Sequence, residues 1–99
     1  MSIYRKAAKR DANEPEIVQA LEGMGALVER TDKPLDLIVN VLGVIALADV
    51  KDPKRGRLTP AQVEFLDQWA GAPIYVLKTT DDAVRMVNEL RALAGRRAA

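Results

Sequence analysis

Two apolar segments separated by a turn dipeptide place the strongest constraint on the fold of this 99-residue chain. Residues 35–41 and 44–50 are rich in β-branched side chains, and they flank Leu42-Gly43. Runs of this length around such a dipeptide predict an antiparallel β-hairpin. Few polar residues interrupt either run, which predicts that both faces of the hairpin are largely covered.

The register of this hairpin brings two acidic residues together. If Val41 and Val44 flank a two-residue turn, Asp36 lies directly opposite Asp49, with Cβ atoms about 4.5–5.5 Å apart. Lys51 follows Asp49 by two residues and therefore lies on the same sheet face. A four-residue loop keeps this register, whereas a three-residue loop with a bulge shifts it by one residue.

The elements around the hairpin predict an α/β domain. The first helix is capped by Asn13 and ended by Gly23 and Gly25, and a short strand at 26–30 leads to the hairpin. A charged loop at 52–58 follows, and then a helix from Pro60 to Gly71 that is capped by Thr59. A strand at 74–77 and a helix from its Thr80 cap to Gly95 complete the order. Glu16 follows Asn13 by three residues, as a capping box requires. The order predicts one domain over residues 11–95 with helices against a small mixed sheet. A flexible basic arm (1–10) precedes it, and a frayed tail (96–99) follows.

Composition limits the chemistry that such a domain can perform. The sequence has no His, no Cys and a single Ser, at position 2. This excludes Ser–His and Cys–His catalysis, thiolate zinc sites and His-dependent nuclease or deaminase chemistry. The lack of Cys favours a reducing cytoplasm, and the longest apolar stretch, residues 41–48, is too short to span a bilayer. Carboxylate and lysine chemistry remains.

Basic residues form two clusters although the net charge is only +1. The clusters are Arg5, Lys6, Lys9 and Arg10 in the arm, and Lys51, Lys54, Arg55 and Arg57 in the charged loop. Local clusters on a near-neutral chain suit contacts with phosphates. On charge alone, a solvated tail and a solvated loop are the simpler interpretation.

The paired acids and the lysine suggest metal-assisted phosphodiester hydrolysis. Two adjacent carboxylates repel unless a cation lies between them, and Mg²⁺ is typically held by one or two carboxylates plus substrate phosphate oxygens. A nearby lysine can hold or deprotonate water, or pair with the phosphate. The alternative is a strand-end ion pair, because acid-x-Lys triplets arise by chance, and Asp52-Pro53-Lys54 is a second one here.

With these residues the chain resembles the PD-(D/E)xK nuclease superfamily, and within it the small phage virus-type replication–repair nuclease (VRR-NUC) domains, which are related in fold to archaeal Holliday-junction resolvases. The matching segments are 13–18 (NEPEIV), 34–39 (PLDLIV), 48–52 (ADVKD) and 57–62 (RLTPAQ). The resemblance spans roughly residues 11–90 and implies the αβββαβ core of restriction-endonuclease-like folds. Leu35 intervenes between Pro34 and Asp36, where the family usually has Pro directly before the acid, and Asp49 replaces the commoner Glu.

The resemblance implies a Mg²⁺- or Mn²⁺-dependent DNA endonuclease of a phage or prophage, acting on branched or structured DNA in the cytoplasm of a bacterial host. It makes Asp36 and Asp49 metal ligands and Lys51 the catalytic lysine. Glu16 matches the first-helix acid that approaches the metal, and Gln62 matches the helix glutamine that faces the site. Helix capping for Glu16 and plain surface exposure for Gln62 are the alternatives.

Further contacts and the rival function stay open at this point. Lys54, Arg55 and Arg57, together with Lys9 and Arg10 of the arm, are predicted to bind nucleic acid. Nucleases of this kind commonly pair, so a homodimer is possible. Phe65 and Trp69 are spaced to pack in the core, or else to stack on bases or in a dimer contact. The rival function is a non-catalytic nucleic-acid-binding or protein-interaction module that kept the fold.

Overall fold

The computed structural model describes residues 10–33 and 35–98, so Lys9 lies outside the described residues. Its elements are α1 (Glu14–Gly23), β1 (Leu27–Arg30), β2 (Leu37–Val41), β3 (Val44–Val50), α2 (Pro60–Gln68), β4 (Ile74–Leu77) and α3 (Thr80–Ala98). The predicted order of helix, three strands, helix, strand and helix is confirmed.

The β2–β3 hairpin has the predicted two-residue turn. Leu42 and Gly43 both have positive φ, 53° and 89°, as a type I′ turn requires. The Asn40 side chain accepts a hydrogen bond from Gly43 N at 2.8 Å. Val41 pairs with Val44, and this is the register that places residue 36 opposite residue 49.

The four strands form one mixed sheet in the order β1-β2-β3-β4, with β4 parallel to β3 and the other pairs antiparallel. α1 and α3 pack together, and α3 also lies against β2, β3 and β4. Alternate residues of the hairpin are buried beneath these helices: Leu37, Val39, Val41, Val44, Ala46, Ala48 and Val50. This face and the two helices form the hydrophobic core.

The prediction that both hairpin faces are covered is wrong. Ile38 and Ile45, on the face opposite to α1 and α3, are 38% and 51% exposed. α2 buries none of its residues completely, so it does not close this face. A run of apolar residues therefore does not distinguish a doubly covered strand from one with a partly open face.

Several predicted helix ends differ from the structure. α2 ends at Gln68 and not at Gly71, and Thr79, not Thr80, accepts the hydrogen bond from Asp82 N at the start of α3. Asn13 precedes α1, but its side chain makes no capping hydrogen bond, so the predicted capping box with Glu16 is not formed. α3 continues through Gly95 to Ala98, and residues 96–98 are helical where a frayed tail was predicted. A helical glycine costs only about 1 kcal/mol, less than the packing that holds α3. Among the described helices, none combines the length and hydrophobicity that crossing a bilayer requires.

Candidate active site

Asp36 and Asp49 lie together on the sheet face opposite to α1 and α3. In the hairpin register they form the next pair beyond Leu37–Ala48, on the side away from the turn. Asp49 is 1% exposed, and Asp36 is half-buried beside it. Oδ2 of Asp36 accepts a hydrogen bond from Val50 N at 2.8 Å. This bond ties the residue before β2 to the end of β3.

The electrostatics of Asp36 show that the two acids interact. Burial raises the pKa of Asp36 above its ordinary value, and the neighbouring carboxylate of Asp49 raises it further. The hydrogen bond from Val50 N and the charge of Arg10 act in the opposite direction. The net rise means that the protein environment disfavours a second negative charge here, and a bound cation would reverse that preference.

Lys51 and Gln62 hold the buried carboxylate of Asp49 from two directions. Nζ of Lys51 lies 3.1 Å from Oδ2 of Asp49, and Nε2 of Gln62 donates to Oδ1 at 3.1 Å. Oδ2 accepts no well-directed hydrogen bond from the described residues, and the ammonium group of Lys51 is its ionic partner there. Gln62 is therefore a residue of the site and not plain surface.

A capping box at the start of α2 fixes the orientation of Gln62. Its Oε1 accepts from Thr59 N at 3.0 Å, and its own N–H donates to Thr59 Oγ1 at 3.1 Å. Because Oε1 is occupied in this way, Nε2 is the end of the amide that faces Asp49. Pro60 at the first helical position reinforces the same helix start.

Asn13 links α1 to the strands that carry the site. Its Nδ2 donates to the carbonyl oxygens of Lys51 at 3.0 Å and Lys78 at 2.9 Å. These two residues directly follow β3 and β4. The side chain that was predicted to cap α1 instead joins the ends of two parallel strands, which explains why the capping box is missing.

The acid that α1 buries is Glu14, whereas Glu16 was predicted to be the first-helix acid that approaches the metal. Glu14 is fully buried, and its Oε2 accepts from Nε of Arg10 at 2.8 Å and Nε of Arg30 at 2.9 Å. Glu16 is exposed, and the structure does not bring it to Asp36 and Asp49. Helical spacing is the signal that finds Glu14, since it precedes the buried Ile17 by three residues.

Arg10 makes several hydrogen bonds within the protein, and its predicted phosphate contact stays a prediction. Besides Glu14, its guanidinium contacts the Asp32 carboxylate and donates to the carbonyl oxygens of Thr31 and Asp36. Its donors are thus directed to protein acceptors around the start of β2. The last residue of the predicted flexible arm is therefore fixed by hydrogen bonds.

The loop after Lys51 is a compact turn built on Asp52. Oδ1 of Asp52 accepts from the N–H groups of Lys54 and Arg55, both at 2.8 Å, and its carbonyl accepts from Gly56 N at 3.0 Å. These backbone hydrogen bonds lower the pKa of Asp52. The second acid-x-Lys triplet, Asp52-Pro53-Lys54, is therefore a turn motif, whereas Lys54, Arg55 and Arg57 are exposed.

Gly56 packs directly against the backbone that carries the site lysine. A Cβ atom placed on Gly56 would lie 2.7 Å from Cβ of Lys51 and 2.5 Å from N of Asp52. Real Cβ atoms essentially never approach other atoms closer than 3.0 Å. The turn can therefore lie against Lys51 only because residue 56 has no side chain.

Phe65 on α2 and Trp69, which directly follows α2, are not in the core, so the core-packing interpretation is wrong. The rings of Phe65 and Trp69 stack with centroids 5.1 Å apart, and Trp69 is 53% exposed. Because α2 has no fully buried residue, the pair remains accessible to a base or a protein partner.

The acids of the site suit a cation with few protein ligands. Within residues 10–33 and 35–98, no group of three or more Asp or Glu side chains converges as a metal-binding cluster. Mg²⁺ commonly takes only one or two carboxylates and completes its shell with water and phosphate oxygens. Asp36 and Asp49 can supply the two carboxylates, and Oδ2 of Asp49, which lacks a hydrogen bond, would exchange the ammonium group of Lys51 at 3.1 Å for the cation.

Comparison with known proteins relates this arrangement to one solved fold. No protein-family model matches the sequence, and no curated protein is significantly similar to it. A solved structure described as a "VRR_NUC domain" superposes with a TM-score of 0.63 at 20% identity, over 79% of this chain and 97% of that one. The chain has the fold of a VRR-NUC domain. At this identity the likeness establishes the fold, which is the α/β architecture predicted above.

Proposed function

We propose that this protein is a metal-dependent DNA endonuclease that hydrolyses phosphodiester bonds. One observation carries the proposal: Asp36, Asp49 and Lys51 share one sheet face, and Gln62 holds Asp49 there. The similarity to a structure described as a VRR_NUC domain supports the assignment, because the name of that structure denotes a nuclease domain.

Mg²⁺ or Mn²⁺ would be held by Asp36 and Asp49. When bound, such an ion supplies positive charge for the phosphoryl group and lowers the pKa of a bound water molecule. The other roles belong to side chains of this chain. Gln62 keeps the Asp49 carboxylate oriented, and Lys51, which is 15% exposed, can shift from Asp49 to a water molecule or to a phosphate oxygen.

Phosphate contacts next to the site would come from the exposed cations of the Asp52 turn, Lys54 and Arg55, and from Arg57. Such contacts position a strand without reading its sequence. The substrate would then be recognised by its shape, and we propose branched or otherwise structured DNA. The Lys54→Ala, Arg55→Ala, Arg57→Ala triple variant should bind every DNA more weakly. It should lose about one unit of log–log salt slope per lost contact, as measured by fluorescence anisotropy. A triple variant that binds normally but cuts about a thousandfold more slowly would instead make the loop catalytic.

The decisive experiment incubates the protein with branched, flapped, single-stranded and plain duplex DNA in Mg²⁺, Mn²⁺ or EDTA. We expect cleavage that needs the metal and that is lost in Lys51→Ala and Asp49→Asn. Because Lys51→Ala removes the ammonium group beside the buried Asp49 carboxylate, urea unfolding should first establish that the variant is folded under the assay conditions. Cleavage that persists in both variants would move the chemistry elsewhere. Salt-sensitive DNA binding that is indifferent to EDTA, without cleavage, would support the rival non-catalytic module.

We also propose that two copies pair through the partly open sheet face. Ile38 and Ile45 are exposed there, and Leu27 on β1 is 70% exposed. Light scattering coupled to gel filtration should report a dimer, which Ile45→Lys should dissociate. A monomeric wild-type protein at cleavage-competent concentrations would refute this part without affecting the active-site assignment.

A further inference from the structure

We infer that a cleft between Lys51 and Lys78 is a subsite for one DNA nucleotide next to the cleaved bond, with Arg57 and Lys78 contacting its phosphate. This inference deepens the proposed nuclease function and rests on it. The cleft measures about 460 Å³, within the range of about 300–1,000 Å³ typical of ligand sites. Its lining residues are Lys51, Gly56, Arg57, Leu58, Val63, Val76 and Lys78.

The parallel pairing of β3 and β4 places Lys78 beside Lys51. Val50 pairs with Leu77, and both are buried against the helices. The next residues along each strand, Lys51 and Lys78, therefore lie on the opposite face, which is the face of Asp36 and Asp49. Neighbouring strands are about 4.8 Å apart, and the Asn13 side chain fixes both strand ends through their carbonyl oxygens.

The charges around the cleft favour an anion. Lys51 is neutralised by Asp49 at 3.1 Å. Among the described residues, no carboxylate lies within 4.0 Å of Nζ of Lys78 or of the Arg57 guanidinium. Cations gathered around one cleft repel each other, and a phosphate group that binds between them removes this repulsion.

The remaining lining gives the cleft a chemical class beyond simple anion binding. Leu58 is partly buried, Val63 on α2 is 52% exposed, and Val76 on β4 is partly buried. An apolar wall beside cations suits a ligand that combines a phosphate with a sugar or a base. A nucleotide of a DNA strand meets this description, and because Lys51 lines the same cleft, that nucleotide would adjoin the cleaved phosphodiester.

Binding of a fluorescein-labelled duplex with a single-stranded tail, measured by anisotropy in EDTA, tests the subsite without metal or cleavage. Lys78→Gln and Arg57→Gln should each weaken binding about tenfold at about 50 mM salt, and each should lower the log–log salt slope by about 0.9. Lys78→Arg should restore both. The Lys78 side chain is exposed, and its backbone contacts to Asn13 and Asp82 do not need it, so folding should be unaffected.

Arg97→Gln provides a matched control for charge. Arg97 is exposed in the last turn of α3, about 25 Å from the start of that helix at about 1.5 Å per residue. This distance exceeds the screening length of about 10 Å at about 0.1 M salt. Arg97→Gln should therefore change affinity by less than about twofold. An equal loss in Arg97→Gln and Lys78→Gln would indicate a general charge effect and overturn the subsite.

The outcomes separate this inference from the proposed function. A wild-type protein that cuts DNA while Lys78→Gln binds with unchanged salt slope refutes the subsite and leaves the nuclease assignment standing. A protein that cuts nothing, yet whose DNA binding depends on Lys78 and Arg57, retains the subsite and refutes the nuclease. A wild-type protein that binds none of the DNA overturns the subsite. In an active enzyme, Lys78→Gln should raise KM and leave kcat within about twofold, whereas Lys51→Ala should abolish kcat.

Discussion

Gly56→Ala should displace the site lysine without replacing any residue to which we assign chemistry. The added Cβ would lie 2.7 Å from Cβ of Lys51, 2.5 Å from N of Asp52 and 2.8 Å from O of Asp52. Ordinary contacts begin at 3.4 Å. Two of the three crowded atoms belong to the backbone, and the third is the first side-chain atom of Lys51. None of them can move away by a rotamer change alone.

The size of the effect follows from these distances. The separation between residue 56 and Cβ of Lys51 must increase by about 0.7 Å to reach ordinary contact. Overpacking of this kind costs about 1–3 kcal/mol of stability, and a displacement of about 1 Å at a reacting group can cost about a hundredfold in rate. We therefore expect cleavage to fall by about ten- to a hundredfold.

Single-turnover cleavage at saturating enzyme measures the cleavage rate, and urea unfolding measures the stability. Gly95→Ala is the matched control, since a Cβ there would meet no atom within 4 Å and alanine favours a helix by about 1 kcal/mol. The Gly95→Ala control should be equally active and slightly more stable. A Gly56→Ala variant that cuts and unfolds like the wild type would refute the close packing of the turn on Lys51.

Two further variants test the contacts that assemble the site. Asp36→Asn should stabilise the metal-free protein near pH 7, because burial and the charge of Asp49 raise the pKa of Asp36. The folded state then binds the proton of the Asp36 carboxyl group more tightly than the unfolded state does, so the wild type loses stability as pH rises through the folded pKa. The stability advantage of Asp36→Asn should vanish below about pH 3.8, the ordinary pKa of the group. Urea unfolding across pH tests this, and an advantage independent of pH would contradict it. Asn13→Asp removes the donors to the carbonyl oxygens of Lys51 and Lys78 and should cost about 1–3 kcal/mol in the same assay; unchanged stability would refute the role of Asn13 as a link between strands.

Local sequence determined the hairpin, its register and the start of α2. Leu42-Gly43 can supply two consecutive positive φ angles, and a two-residue turn leaves only one pairing for the strands that follow. With that turn Asp36 lies opposite Asp49, whereas a three-residue loop with a bulge would have shifted the register by one residue. Thr59-Pro60 likewise determined where α2 begins, because capping depends on contacts within four residues.

Tertiary structure decided which polar side chains serve the site and which serve the fold. Asn13 and Glu16 have the spacing of a capping box, yet Asn13 instead bonds to carbonyl oxygens 38 and 65 residues away. The charge of Arg10 did not distinguish it from a free cation, because the Asp32 carboxylate and the carbonyl oxygen of Asp36, 22 and 26 residues away, are brought to it only by the fold. Local pattern carries no information on contacts at such separations.

The placement of Lys78 shows the physical limit most clearly. An antiparallel hairpin is fixed by its turn, but the parallel pair β3–β4 is joined by a crossover through α2, and no local turn sets its register. The alignment of Val50 with Leu77 depends on tertiary contacts, among them the packing of both strands against α3. Only after that packing do two lysines 27 positions apart in the sequence become neighbours on the face that carries the two acids.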